Sequence, residues 1–376
     1  MKMSEMNRTS KINKTNRTPK MGDAERTSKT NKMNQTEKMS KPKKTHKKTA
    51  LLILLGIIVL LLFLILLGLL WATNQLNKVN RTELDDDAIV INSYSDPNMD
   101  DYTNLIFFGV DSRDGELDEN TRSDSMIVVS IHNKTHKIRL LSLFRDCYVE
   151  VPGHGLTKLT HAYAYGGPEL AINTINRNFD LNITDFVTVN FGTLTNVIDI
   201  LGGVSINITE DEIDYVNAYT RDVARINGTK ARKITKAGKQ KLDGTQATAY
   251  CRVRYTAGGD FTRAKRQRTV LYAIMKKVRK AGPLTLMKIV EQVAPQIYTS
   301  LSNADMMKLA LHVLQYSIEK DSGFPFENTT PTINEMSVVL PQTLTTNVSK
   351  MHKFLFKTEN YIPSDTVQGI EAQMPY

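Results

Sequence analysis

Residues 105–147 read LIFFGVDSRDGELDENTRSDSMIVVSIHNKTHKIRLLSLFRDC. Three apolar runs stand out, Leu105–Val110, Ser125–Ile131 and Ile138–Phe144. Each is short and almost unbroken, the pattern of strands buried on both faces of a helix-covered sheet. Asn133–His136 reads as a turn, so the second and third runs form a hairpin. Acids and arginines mark the strand ends. Asp111 closes the first run, Asp124 opens the second, and Arg145 and Asp146 close the third. A hairpin returns the chain to the edge it left, which places Asp124 beside Arg145. If the first strand runs parallel to the third, Asp111 joins them at the end of the sheet where ligands of such folds bind.

Working outward, GGPELAINTINRNF (166–179) predicts a helix opened by Pro168, with Leu170, Ile172, Ile175 and Phe179 inward. Residues 183–191 predict a strand, and Leu194, Val197, Ile198 and Leu201 a helical stripe stopped by Gly202–Gly203. VSINI (204–208) is a short alternating strand, 211–240 reads as a charged, irregular surface excursion, and YCRVRY (250–255) reads as a strand. Helices are expected at 262–280, 285–293 and 304–319, and the last 50 or so residues read as loop with one short strand at MSVVLP (336–341). The order of elements specifies an α/β class, a single outer domain with a mixed central β-sheet flanked by helices. That domain is expected at 102–320, with 73–101 a polar linker carrying the solvated run Asp85–Asp87 and 321–376 a C-terminal extension.

Before it lies ALLILLGIIVLLLFLILLGLLWA (50–72), with no charge over 23 residues. At 1.5 Å per residue such a helix crosses a hydrocarbon core of about 30 Å. Trp71 suits the far interface, and Lys41, Lys43, Lys44, Lys47 and Lys48 flank the near side. The positive-inside rule therefore predicts a single-pass cell-membrane protein with a cytoplasmic N-terminus and an extracellular domain. A cleaved signal peptide fits less well, because the run is long and a long tail precedes it. In the tail, RTSKINKTNRTPKM (8–21) recurs as RTSKTNKMNQTEKM (26–39), with ten of fourteen positions identical. With almost no aromatic or aliphatic content, residues 1–49 are expected to be disordered. They are read as a solvated topology signal, with contact to anionic headgroups or to an unidentified cytoplasmic partner as alternatives.

The net charge of +10 over 376 residues invites a nucleic-acid reading, but the tail alone carries +11 and the remainder −1. The outer domain lacks the basic field that nucleic acid requires. GxSxG, HExxH, P-loop and GxGxxG motifs are missing, His154 and His161 are isolated, and the two cysteines, Cys147 and Cys251, form no CxxC. A serine hydrolase, a zinc peptidase and a structural zinc site are thereby disfavoured. The chemistry resides instead in YCRVRYTAGGDFTRAKRQR (250–268). On a strand, Arg252 and Arg254 share a face, and Arg263 and Arg266, three apart at a helix start, share another. Four guanidinium groups aimed at one place need an anionic partner, and arginine forks match phosphate oxygens. The competing reading is a solvated basic edge paired with Asp260 and other acids. Asp111 and Asp124 beside such a cluster point to Mg²⁺, or Mn²⁺ in its place, bridging a diphosphate.

These residues resemble the LytR–CpsA–Psr family of cell-envelope proteins. The matching stretches are LIFFGVDSR (105–113), TRSDSMIVVSI (121–131), LLSLFRDCYVEVPG (140–153), KLTHAYAYGGPELAINTI (158–175), TNVIDILGGVSI (195–206) and LDGTQATAYCRVRY with GDFTRAKRQR (242–268). The resemblance implies a phosphotransferase. It would move a glycopolymer (teichoic acid, capsule or other wall polysaccharide) from a polyprenyl diphosphate carrier to peptidoglycan through a phosphodiester, with Mg²⁺. A diphosphatase, or a lipid-binding regulator or scaffold without transferase activity, is the alternative. By matched position Asp111 and Asp124 are metal-side acids. Arg145, Arg252, Arg254, Arg263, Arg266 and Gln267 are diphosphate contacts, and Arg113 and Arg122 are further contacts. Asp111, Arg145, Arg252 and Arg254 are the expected catalytic set. The resemblance also implies an apolar tunnel for the lipid tail, which the helices after residue 268 would help line. Thr262 stands where the family commonly has glycine. Cys147 and Cys251, each beside a clamp arginine, would be able to form a disulfide if they lay on adjacent strands.

Overall fold

The computed structural model describes residues 45–84, 88–93, 96–111, 117 and 121–376, with 45–53 as backbone only. The tail repeat, Lys41, Lys43, Lys44, the Asp85–Asp87 run and Arg113 lie outside the described residues. Helix α1 runs Thr45–Leu76, and its Leu54–Leu76 stretch is, among the described residues, the one helix long and apolar enough to cross a membrane.

The domain is built on strands β1 (Asn80–Arg81), β2 (Tyr102–Val110), β3 (Ser123–His132) and β4 (Lys137–Leu143), followed by the hairpin β5 (Tyr148–Val151) and β6 (Gly155–Lys158). Then come α2 (Leu159–Phe179), β7 (Asp185–Asn190), α3 (Phe191–Ile200), β8 (Val204–Ile208), α4 (Glu210–Ile226), β9 (Gly238–Leu242), α5 (Gly244–Arg252) and α6 (Gly259–Val278). The chain ends with α7 (Pro283–Val293), β10 (Tyr298–Thr299), α8 (Asn303–Leu311), β11 (Ser317–Phe324), α9 (Leu344–Phe356) and α10 (Asp365–Glu371), with short two-residue strands between β11 and α9. The main sheet has the order β1-β10-β7-β2-β3-β4-β11. Both β2 and β4 are antiparallel to β3, so they are parallel to each other, as the strand-end argument required.

The unbroken apolar strands serve two cores. Ile106, Phe108, Val128 and Leu141 face α2, α9 and α10, whereas Leu105, Ile127, Val129 and Leu140 face the side carrying Leu271, Met275 and Leu309. A third core joins α3, α4, α5 and α6 to the β8–β9 hairpin. Pro168 does open a helical segment, but inside a longer helix. α2 is broken at Gly166 and Gly167, and Gly167 has φ +62°, a conformation a side chain strongly resists.

Several expectations are corrected. Residues 211–226 are helical rather than irregular, and only 227–237, before β9, lacks regular structure. Thr209 and Glu212 form a capping box that starts α4, and Val216, Thr220 and Val223 line its buried face. The helix expected at 304–319 stops at Leu311, and the chain re-enters the sheet as β11, parallel to β4, so no domain boundary falls at 320. The C-terminal 55 residues or so are part of the core rather than loop: Leu344, Val348, Met351 and Leu355 on α9 are buried at helical spacing. The linker is likewise integrated. Met99 is buried, and Asn92 donates to Asp180 Oδ1 at 2.7 Å.

Asp96 ties linker to C-terminus, with Oδ2 2.7 Å from His352 Nδ1 and Oδ1 accepting from Thr358 at 2.6 Å. Burial opposes ionisation of Asp96, but the bonds from His352 and Thr358 and the nearby imidazole overcome it and hold the carboxyl below its usual range. A lowered folded value contributes stability above the unfolded pKa of about 3.9, lost as pH falls through the folded value. Asp96→Asn is therefore expected to cost about 1–3 kcal/mol at pH 7. In calorimetric melts, its deficit relative to the parent should shrink once the pH is taken below that range.

Candidate active site

Asp124 is the centre of the site, and a bulge puts it there. Gly109 pairs with Ser125 and Val110 with Ser123, leaving Asp124 as the extra residue on β3. Its Oδ1 accepts from Arg145 Nη1 at 2.8 Å, just beyond β4. Its Oδ2 accepts from Arg254 Nη2 at 3.0 Å and lies 3.4 Å from Arg263 Nη1, while its carbonyl accepts from Arg263 Nη2 at 2.9 Å. Burial alone would raise the Asp124 pKa, but Arg263, Arg145 and Arg254 together pull it below the carboxylate range. Asp111, at the end of β2, accepts from Arg252 Nη2 at 3.2 Å.

Arg252 and Arg254 do not share a strand. Asp243 and Gln246 form a capping box that starts α5, and Arg252 is its last residue. Val253 is extended, and this end-of-helix turn directs both arginines into the same cleft. The guanidinium of Arg252 lies 4.9 Å from the Phe191 ring and 5.9 Å from the Tyr219 ring, so aromatic faces hold its plane. Tyr219 lies on α4, in the segment expected to be irregular; the capping box and buried stripe of that helix were the signals available for it.

Arg263 meets Asp260 Oδ1 at 2.8 Å, and burial raises the Asp260 pKa against the pull of Arg263 and Arg145. Asp146 completes the acid set, paired with Lys158 at 2.9 Å and Arg145 at 3.5 Å. Arg266 is not part of this cleft. Its Nε donates to Glu212 at 2.8 Å, its Nη1 to Val253 O at 3.0 Å and its Nη2 to Thr256 at 2.6 Å, all within the protein. Arg122 is exposed and does not line the cleft, whose walls are Asp111, Asp124, Phe191, Tyr219, Cys251, Arg252, Arg254, Arg263 and Gln267.

Beneath this charged mouth lies an apolar cavity bounded by Phe107, Val110, Ile127, Leu194, Val270 and Leu271. Phe191, Cys251 and Gln267 belong to both walls, so mouth and cavity adjoin. Of the helices after residue 268, α6 lines it through Val270 and Leu271; α7 and α8 do not. Gln267 accepts from Ser125 at 3.0 Å, which sets its amide between charged and apolar walls. Thr262 donates to Ala257 O at 2.8 Å, and a Cβ on Gly258 (φ +84°) would collide with its hydroxyl, so the two residues set the turn before α6 together. The cysteines are free and not on adjacent strands, Cys147 following β4 and Cys251 lying on α5. Burial pushes the Cys251 thiol up to about 12 and that of Cys147 higher still, which makes both poor nucleophiles.

The model of the LytR_cpsA_psr family matches residues 69–354. The chain belongs to the LytR-CpsA-Psr family. It is 33% identical over 217 residues to the polyisoprenyl-teichoic acid–peptidoglycan teichoic acid transferase TagT of Bacillus subtilis, covering 57% of this chain and 64% of that protein. To the transferase of the corresponding name, TagU, of Oceanobacillus iheyensis it is 32% identical over 280 residues, covering 70% of this chain and 79% of that one. Its fold is similar to the solved structure of TagT bound to LIIa-WTA, with a TM-score of 0.55 and 25% identity over 70% of this chain and 93% of that chain. For a LytR-CpsA-Psr domain, the donor set fits a hard cation. Among the described residues no group of three His, Cys, Asp or Glu is placed to hold a metal. Two carboxylates do share one mouth, and one or two suffice for Mg²⁺ bound partly through substrate oxygens. The Asp111 side chain is 34% exposed with, among the described residues, a single guanidinium partner, whereas both Asp124 oxygens are engaged by arginines, so Asp111 is the more available of the two acids.

Proposed function

We propose that this protein is a phosphotransferase that moves a glycopolymer from a polyprenyl diphosphate carrier to peptidoglycan through a phosphodiester bond. It would act on the outer face of the cell membrane, with residues 1–49 in the cytoplasm. The observation that carries the proposal is the arginine-lined mouth sharing Phe191, Cys251 and Gln267 with an apolar cavity. A molecule joining a diphosphate to a hydrocarbon tail matches the two parts in chemistry, and the matched relatives carry transferase names of that chemistry.

In this reading Arg252, Arg254 and Arg263 receive the diphosphate, and Arg145 holds Asp124 in register behind them. The acceptor hydroxyl of peptidoglycan attacks the phosphorus nearest the sugar, the bond to the bridging oxygen breaks, and polyprenyl monophosphate leaves. The guanidinium groups stabilise the charge that develops on the transferring oxygens. The hydroxyl proton passes to a carboxylate; Asp111, which lines the cleft, and Asp146 and Asp260, which pair with its arginines, are the acids available. Mg²⁺, held by Asp111 with Asp124 near it, would add Lewis-acid stabilisation when bound.

Mass spectrometry of lipid extracted from the purified full chain is expected to find polyprenyl phosphate species. Their absence, together with no transfer in a reconstituted assay, refutes the proposal. Chelation is expected to abolish transfer and added Mg²⁺ to restore it; transfer that is indifferent to chelator removes the metal from the scheme. A diphosphatase would release phosphate without any wall-linked product when acceptor is added.

A further inference from the structure

Helices α7 and α8 are unusual in this domain. α7 carries Leu284, Leu286, Met287, Ile289, Val290 and Val293, yet among its described residues only Val293 is buried. α8, NADMMKLAL, buries none. Leu284 is 82% exposed, Leu311 72% and Leu314 52%. A nine- or eleven-residue helix in water owes its stability to packing of an apolar face; α7 packs on α3 and Leu309 of α8 on the sheet-side core, but Leu284, Met287 and Leu311 lie outside those contacts and are exposed.

Two observations identify what covers them. The first is attachment. Asn80 donates through its side chain to Pro295 O at 3.0 Å, just after α7, and β1 pairs with β10 between the two helices. Asn303, the first residue of α8, donates to Asn77 Oδ1 at 2.7 Å and accepts from Arg81. Asn77 follows directly on Leu76, the last residue of the membrane-spanning candidate. The apolar helices are thus strapped to the chain within a few residues of where it leaves the bilayer. The second is charge. No acidic residue occurs from 261 to 290, and Lys276, Lys277 and Lys280 line one groove with Gly282 and Thr285 at the start of α7. Exposed leucine and methionine beside lysines is the chemistry of a helix lying in a headgroup layer, where each basic residue near an anionic surface adds to the attraction.

We propose that α7, α8 and the lysine-rich end of α6 form a docking surface for anionic phospholipid, holding the domain against the bilayer from which its anchor emerges. This surface is separate from the arginine mouth and stands whether or not the transferase reading holds. The test uses the full chain with Trp71, its one tryptophan, changed to phenylalanine. Leu284→Trp, Leu311→Trp and, as a comparison, Ile362→Trp (81% exposed, between α9 and α10) are each reconstituted in vesicles of brominated phosphatidylcholine with or without phosphatidylglycerol. Strong quenching at 284 and 311 but not at 362, increased by phosphatidylglycerol and relieved by Lys277→Glu with Lys280→Glu, is expected. Equal quenching at all three positions overturns the proposal, as does quenching indifferent to lipid charge and to the lysine changes. Unquenched emission at 284 and 311 that shifts to the blue with rising protein density would assign the surface to a second copy of the chain instead.

Discussion

Arg252→Ala is expected to lower transfer of polymer to peptidoglycan by about 10²–10³-fold, the cost of removing one donor that stabilises developing charge. The melting temperature should change little. Among the described residues the Arg252 side chain makes one ion pair, to the partly open Asp111, and it stacks on Phe191 and Tyr219 at the rim of the cleft. Losing it leaves behind no fully buried, unpaired charge. Arg252→Lys should recover only part of the rate, because an ammonium group cannot present the planar fork that spans two phosphate oxygens or stack as a guanidinium does. The measurement is the ratio of wall-linked to released polymer in a reconstituted reaction, with thermal melts in parallel. A variant that transfers normally would remove Arg252 from the reaction.

Arg266→Ala, fourteen residues further on, is expected to do the opposite. Its guanidinium is 3% exposed and its partner Glu212 10%, and its other nitrogens hold Val253 O and Thr256 at the turn between α5 and α6. Removing one partner of a buried pair leaves the other desolvated and unpaired, a loss of about 3–5 kcal/mol. For a domain of this size that is a fall of about 10 °C in melting temperature. Arg266→Lys should remain well below the parent, since one ammonium group cannot reach all three acceptors. The arginine lies 5.6 Å from the Tyr250 ring, which it would also cease to support. Activity per folded molecule should survive at low temperature. An Arg266→Ala protein that melts like the parent yet cannot transfer would return this residue to the diphosphate contacts.

The contrast between these two arginines marks where sequence reading stopped. Both belong to one dense motif, and spacing placed Arg263 and Arg266 on one helix face with equal warrant. A face is wide enough to serve two partners. Arg263 turns toward Asp124 and Asp260, Arg266 toward Glu212, and Glu212 lies on a helix that charge density had disguised as loop. The segment 250–255 misled for a related reason. Alternating Tyr, Arg and Arg is a strand pattern, but the capping box at Asp243 and Gln246 sets a helix whose last turn contains Tyr250 and Arg252. Local propensity lost to the cap and to burial against α3, α4 and α6.

Long apolar periodicity was legible because it follows from local geometry: the span before Leu76, the three strands from Tyr102 to Leu143, and the hairpin that brings Asp124 to Arg145. Water excludes such runs wherever they occur, so the pattern suffices. The bulge that isolates Asp124, the docking of α9 and the linker onto the sheet, and the division of arginines between cleft and core were decided only by tertiary structure. Each depends on which strand, desolvated charge or apolar face meets which partner at a distance along the chain, 54 residues for Arg266 and Glu212 and 141 for Arg252 and Asp111, and no local pattern encodes that pairing.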